Sequence, residues 1–230
     1  MVIRTRSAGS SADHIVVFAR WPEPGRVKTR LVPPLTPVEA CDLHRALVAA
    51  ALAAAAGAPA STRTIAWADA PAAPAAPAGV AIPSGFAVRD QGHGDLGARL
   101  ERVFADLLAA PGARVVVVGA DCPDLGALQI TRAFAALASH DLVLGPARDG
   151  GYYLIGLARP EPRLFHGIEW GTDRVLAQTL ERAAGLTVAR LEVLDDLDTP
   201  ADLARWRSRA GGAAASGAGQ ADASKARAPA

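Results

Sequence analysis

The chain has 230 residues, 24 Lys and Arg against 23 Asp and Glu, and a formal net charge of +1. A length of this order suits one α/β domain that buries roughly 70% of its unfolded surface, so no disulfide or metal is needed to hold the fold. The balanced charge excludes a sequence-independent nucleic-acid binder, which needs a basic face, and Cys41 and Cys122 make neither a disulfide framework nor a zinc spacing.

Residues 1–12 are expected to be a flexible lead. Arg4 and Arg6 are followed by Ser7-Ala8-Gly9-Ser10-Ser11, without the apolar core of a signal peptide. Ile15 to Phe18 reads as the first strand and runs into the loop Trp21-Pro22-Glu23-Pro24-Gly25. A helix is expected from about Thr36 to Ala56, with Thr36 as N-cap, Pro37 at the first helical position and Glu39 completing a capping box. Arg63 to Ala68 is a strand, the Pro/Ala stretch from Ala70 to Pro83 a surface loop, Phe86 to Val88 a short strand, and Leu96 to Leu108 a helix. The run Arg114 to Val118 is continuous and β-branched, as in a central parallel strand buried on both faces. Helix Ala127 to Ala138, strands Asp141 to Leu144 and Tyr152 to Ile155, helix Thr172 to Ala184, strand Leu186 to Leu191 and helix Pro200 to Arg209 complete the series. Strands alternating with helices predict a three-layer α/β domain over residues 13–209 with a mostly parallel sheet. The Ala/Gly/Ser-rich tail, 210–230, carries no large apolar side chain and is expected to be disordered. Much of the apolar content is alanine, and no apolar stretch reaches the roughly 18 residues of a membrane span. A reduced, cytoplasmic setting is expected from the cysteine usage.

In parallel α/β sheets, ligands sit beyond the carboxyl ends of the strands, and the unusual residues follow strands here. After the first strand, Arg20, Arg26, Lys28 and Arg30 surround a turn at Gly25. Cations with free backbone N–H groups suit phosphates, although the P-loop spacing is absent. Gly92-His93-Gly94-Asp95-Leu96-Gly97 matches the spacing of a dinucleotide fingerprint, but the strand before it is short and polar-ended. A loop over a nucleotide base or ribose, with Gln91, Gly92, Gly94 and Asp95 in contact, is the preferred reading, and a plain turn with a helix start is its rival. After the strongest strand, Gly119-Ala120-Asp121-Cys122-Pro123-Asp124 offers Asp121 as a ligand for a hard cation, or Asp121 or Asp124 as a helix cap. Cys122 reads as a small buried filler.

Asp149, in Arg148-Asp149-Gly150-Gly151-Tyr152, is a candidate for binding sugar hydroxyls or acting as a base, against an ordinary Asp-Gly-Gly turn. Trp170 and Thr172, with Gly150 and Gly151, are candidates for the acceptor side, against a core tryptophan and a helix cap. Asp195-Asp196-Leu197-Asp198-Thr199-Pro200 crowds three carboxylates. In an extended segment Asp196 and Asp198 point to one side, so Asp121, Asp196 and Asp198 make a candidate divalent-metal site, with capping of the last helix as the rival.

These five blocks, in this order, resemble a bacterial family of GT-A-fold proteins provisionally described as glycosyltransferases. The likeness runs from about Ile15 to Trp206. The family is similar to phospholactate guanylyltransferases, whose Lys-x-Arg-Leu loop is matched by Lys28-Thr29-Arg30-Leu31 and whose Asp-x-Asp before Thr-Pro is matched by Asp196, Asp198, Thr199 and Pro200. The resemblance implies a GT-A, Rossmann-like fold and Mg²⁺ or Mn²⁺ held by Asp121, Asp196 and Asp198. The tight Gly-rich signature of the sugar nucleotidylyltransferases is replaced by Pro-Glu-Pro-Gly-Arg, so base specificity does not carry over.

A metal-dependent transferase with a nucleotide-activated donor and a small-molecule acceptor is therefore expected, with glycosyl transfer first and Asp149 and Lys28 as the catalytic candidates. Nucleotidylyl transfer, with pyrophosphate release, is the alternative, because three cations would suit a triphosphate. A non-catalytic nucleotide sensor and a dinucleotide oxidoreductase complete the set.

Overall fold

Alternation of buried side chains sets the central layer. In the computed structural model, which describes residues 12–71 and 76–218, Ile15 and Val17 face one side of the first strand while Val16 and Phe18 face the other. The strongest strand does the same, with Val116 and Val118 opposite Val115 and Val117. Both sides are covered by helices, so both strands are apolar through their buried middles. Residues 1–11, 72–75 and 219–230, which include most of the expected lead, part of the Pro/Ala loop and the end of the expected tail, lie outside the described residues.

The element order is β1 (Asp13–Arg20), α1 (Pro37–Gly57), β2 (Thr62–Ala68), β3 (Phe86–Asp90), α2 (Leu96–Leu107), β4 (Arg114–Gly119), α3 (Ala127–Ala136), β5 (Leu142–Pro146), β6 (Tyr152–Leu157), α4 (Val175–Arg182), β7 (Val188–Arg190) and α5 (Pro200–Ala218). The seven strands form one sheet in the order β3-β2-β1-β4-β6-β5-β7. All neighbours are parallel except β6, which runs antiparallel to both β4 and β5. Its reversal comes from the short connection of residues 147–151, which is far too brief for a parallel crossover.

Helix α1 starts with the expected capping box. The Thr36 hydroxyl accepts the Glu39 N–H at 3.2 Å, and the Glu39 carboxylate accepts the Thr36 N–H at 2.8 Å. Its alanines make α1 long and apolar enough to cross a membrane by length and composition, contrary to the expectation from the sequence. Half of that window is buried inside the protein, where Val48, Ala51, Leu52 and Ala55 join the core between α1, α3 and the sheet. The second face of the sheet is covered by α2, α4 and the 3₁₀ turn Pro162–Phe165, with Phe104 and Phe165 stacked at 5.6 Å. Helix α5 continues beyond Arg209 to Ala218, into the stretch expected to be a tail.

A third, small cluster matters for the site. Leu31 after β1, Leu47 of α1, and Leu197 and Leu203 at the start of α5 are all buried together. They pin the basic loop against the acidic segment that precedes α5.

Candidate functional site

The strand order reverses between β1 and β4: β2 and β3 lie on one side, the later strands on the other. Such a switch point opens a crevice beyond the carboxyl ends of the strands. The loop after β1 carries Lys28, the loop after β4 carries Asp121, and the segment before α5 carries Asp196 and Asp198. Backbone pairing draws these together, because the Leu197 N–H donates to the Asp121 carbonyl at 2.9 Å.

Lys28 is the centre of the arrangement. Its side chain is only 3% exposed, whereas those of Asp121 and Asp198 are 52% and 38% exposed. The ammonium donates to the Asp121 carboxylate, to the Leu197 carbonyl at 2.8 Å and to the Asp198 carboxylate at 2.8 Å. An ammonium has three N–H donors, so none is left over. Burial disfavours the charge on Lys28, but the two carboxylates outweigh it and raise its pKa. Burial likewise opposes the charge on Asp121, and Lys28, His44 and Arg20 more than offset it, holding that carboxyl below its usual value. Lys28 also sits in the left-handed backbone region, φ 49° and ψ 35°. That conformation costs a non-glycine residue roughly 1 kcal/mol and persists because the surroundings over-determine it.

The expected metal trio is therefore rearranged. Among the described residues no three His, Cys, Asp or Glu side chains gather as a ready cage for a metal ion. Lys28 takes the place between Asp121 and Asp198. Asp196 instead feels burial first, then the charges of Asp149, Asp202 and Asp198, which raise its carboxyl to about 6. Asp196 and Asp198 do share a side, since both line one pocket while Leu197 between them is buried in the apolar cluster. Asp195 is spent elsewhere, on Arg148 and Arg209. Capping of α5 falls to Thr199 and Asp202, whose side chain accepts the Thr199 N–H at 2.6 Å, and this leaves Asp198 free for Lys28.

The pocket has a volume of about 220 Å³. Asp121, Asp149, Asp196 and Asp198 provide its acidic wall, and Tyr152, Tyr153, Trp170, Val175 and Leu96 its apolar one. Gly151 and Thr172 line it as well. Asp149 is oriented by the Gly151 N–H, which donates to it at 2.8 Å. Gly150 has a different task from the expected acceptor contact. At φ +91° any Cβ there would collide with the Asp173 carbonyl, and its own carbonyl accepts the Leu176 N–H at 2.9 Å, so it seats the Asp149 turn against the start of α4. The Thr172 hydroxyl donates to the Glu169 carbonyl at 2.8 Å and accepts the Arg174 N–H at 3.3 Å, in the turn before α4 begins at Val175. Trp170 packs edge-on against Tyr152 with ring centroids 6.4 Å apart. Cys122 lines the pocket but is no nucleophile: burial, then Asp121, Asp196 and Asp149, push its thiol well above its usual range.

The remaining basic residues form a separate hollow of about 200 Å³ lined by Arg20, Trp21, Glu23, Arg26 and Asp69. Arg20 pairs with Asp69 at 3.3 Å and Arg26 with Glu23 at 3.1 Å, both in solvent. Arg30 is exposed in the 3₁₀ turn Thr29–Leu31, and Gly25 adopts φ +80° with open space around it.

The loop after β3 is held by contacts of its own. Gln91 is buried, and its amide donates to the Ala66 carbonyl at 2.9 Å and the Ala19 carbonyl at 3.3 Å, tying β2 to β1. Asp95 caps α2 by accepting the Ala98 N–H at 2.9 Å. Gly92 and Gly94 take positive φ in a turn clamped by Arg102, which donates to the Gln91 and His93 carbonyls. Helix start and turn account for this block, and it lines neither pocket apart from Leu96. Replacing Gln91 by Leu is expected to cost about 1–3 kcal/mol of stability, read by urea unfolding, with nucleotide affinity unchanged.

Two contributors were missed. The Leu197 carbonyl gives no signal in a sequence. His44 sits inside an alanine-rich helix, where a lone histidine is unremarkable; it is buried, bonds the Arg20 carbonyl through Nε2 at 3.0 Å, and burial keeps its pKa low.

Fold and crevice define a three-layer α/β protein of the nucleotide-diphospho-sugar transferase type. Residues 51–172 match the family model DUF2064, described as an uncharacterized protein conserved in bacteria, and the chain belongs to that family. It is similar to a protein of Desulfovibrio desulfuricans G20 assigned provisionally as a nucleotide-diphospho-sugar transferase, with 32% identity over 84% of this chain and 85% of that one and a TM-score of 0.73. The fold alone is shared with 4-diphosphocytidyl-2C-methyl-D-erythritol synthase (11% identity, 86% and 98% covered, TM-score 0.52) and with CMP:2-keto-3-deoxy-manno-octonic acid synthetase complexed with CTP (16%, 87% and 99%, TM-score 0.50). Comparison with the curated proteins finds no match.

Proposed function

We propose that the protein is a metal-dependent glycosyltransferase that takes a nucleotide-sugar and passes its sugar to a hydroxyl of a small-molecule acceptor. The observation that carries this reading is a pocket at the switch point with one acidic and one aromatic wall, together with a separate hollow that holds the guanidinium groups of Arg20 and Arg26. Arg20 and Arg26 are exposed and each is held by one carboxylate, so they can exchange it for phosphate oxygens of the donor. Trp170 and Tyr152 offer an apolar wall to the face of a sugar ring. Asp149, fixed by the Gly151 N–H, takes the proton of the acceptor hydroxyl as it attacks the anomeric carbon.

The donor set suits a hard divalent cation, because two carboxylates and a backbone carbonyl already converge on one positive centre, the Lys28 ammonium. Asp121 and Asp198 would hold Mg²⁺ or Mn²⁺ with Asp196 beside them. When bound, the metal supplies charge neutralisation for the departing nucleoside diphosphate. The provisional assignment of the Desulfovibrio relative supports the glycosyl version. Nucleotidylyl transfer, which would set a triphosphate against Arg20, Lys28 and Arg30, is the alternative; in the metal-free protein Lys28 is engaged by Asp121, Asp198 and the Leu197 carbonyl instead.

A thermal-shift panel of nucleotides and nucleotide-sugars tests the donor class. At a hundredfold excess over Kd a true donor raises Tm by about 5 °C or more in the presence of Mg²⁺. NAD(H) is expected to give no shift. Silence across the whole panel would remove the nucleotide-donor reading.

A further inference from the structure

We infer that Lys28 is a tethered occupant of the divalent-cation position: a metal entering between Asp121 and Asp198 expels the Lys28 ammonium, and the expelled side chain becomes the cation that meets the donor phosphates. The inference rests on the metal-dependent reading above and adds an exchange that reading does not contain.

Three observations lead to it. First, the ammonium is fully used. Asp121, the Leu197 carbonyl and Asp198 take all three of its N–H groups, so Lys28 reaches a phosphate only by giving up its present partners. Second, the exchange is physically open. The carboxylates keep 52% and 38% of their surface exposed and line the pocket, while the ammonium plugs the space between them with 3% exposed. The residue is on a loop, in a left-handed conformation that its own contacts maintain, and the turn before it, Glu23 to Arg26, is exposed. Release relieves backbone strain as the contacts are lost. Third, residue choice is selective. The chain has 24 Lys and Arg, of which only Lys28 and Lys225 are lysines. A planar guanidinium with five donors does not fit a cradle of three oxygens converging on one point, whereas a compact ammonium does, as does a metal ion.

The scarcity of lysine makes the test direct. The wild-type protein is treated with a limiting amine-acylating reagent with and without Mn²⁺, and modification at Lys28 is read against Lys225 by mass spectrometry. Calorimetry follows Mn²⁺ binding to the wild type, Lys28→Met and Asp121→Asn. The expected result is protection of Lys28 without metal, a several-fold rise in its modification at saturating Mn²⁺, and Mn²⁺ binding about tenfold tighter in Lys28→Met, since the competing state is removed. Mn²⁺ binding that is lost in Asp121→Asn but leaves Lys28 protected, with no gain in affinity for Lys28→Met, would overturn the exchange and leave the metal site standing. Absence of Mn²⁺ binding in both the wild type and Lys28→Met would overturn the exchange and the metal dependence together. The labelling arm uses the unaltered protein, so it stands even if Lys28→Met folds poorly.

Discussion

Lys28→Met is expected to lower the stability of the metal-free protein by about 3 kcal/mol, measured by urea unfolding in EDTA. The substitution keeps the length of the side chain but removes the ammonium between Asp121 and Asp198 and takes away the donor that the Leu197 carbonyl accepts from. Breaking a buried ion pair from one side costs more than its formation contributes, because the partner charges stay behind. The two carboxylates are partly solvated, which keeps the loss at the lower end of that range. Divalent metal should restore part of the loss by refilling the same place. If the variant is as stable as the wild type in EDTA, Lys28 does not hold this crevice together.

Asp149→Asn is expected to lower kcat by about 10²–10⁴ while leaving the donor KM and the unfolding midpoint nearly unchanged. Asparagine keeps an oxygen for the Gly151 N–H, so the turn survives, and only the capacity to take a proton is lost. Steady-state kinetics with the donor identified by thermal shift gives the answer. A loss below threefold would remove Asp149 as the base.

Element positions were readable because burial writes a period into the strands and caps write boundaries onto the helices. The β-branched run of β4 and the Thr36–Glu39 box of α1 are the clearest cases. The direction of β6 was not readable: Tyr152–Leu157 is apolar on both faces, so its pattern is the same whichever way it runs, and only the short connection of residues 147–151 before it betrays the reversal. The acidic residues that line the pocket were found from sequence, because carboxylates crowded at strand ends are conspicuous. The direct contact of Lys28 with two of them was not. Lys28 meets Asp121 and Asp198 across 93 and 170 residues of chain, a separation at which local pattern is silent. Its basic neighbours made it look like one of several equivalent phosphate ligands. The internal role of Gln91 was hidden for the opposite reason: a polar residue in a glycine-rich loop suggests a ligand, and nothing local shows that its amide satisfies carbonyls at the ends of β1 and β2.

The most direct measurement is product analysis with the purified protein, Mg²⁺, and either nucleotide-sugars with hydroxyl acceptors or nucleoside triphosphates with phosphorylated acceptors. Glycosyl transfer at the Asp149 pocket predicts acceptor-dependent release of free nucleoside diphosphate, lost in Asp149→Asn. Release of pyrophosphate from a triphosphate would contradict it and make the protein a nucleotidylyltransferase.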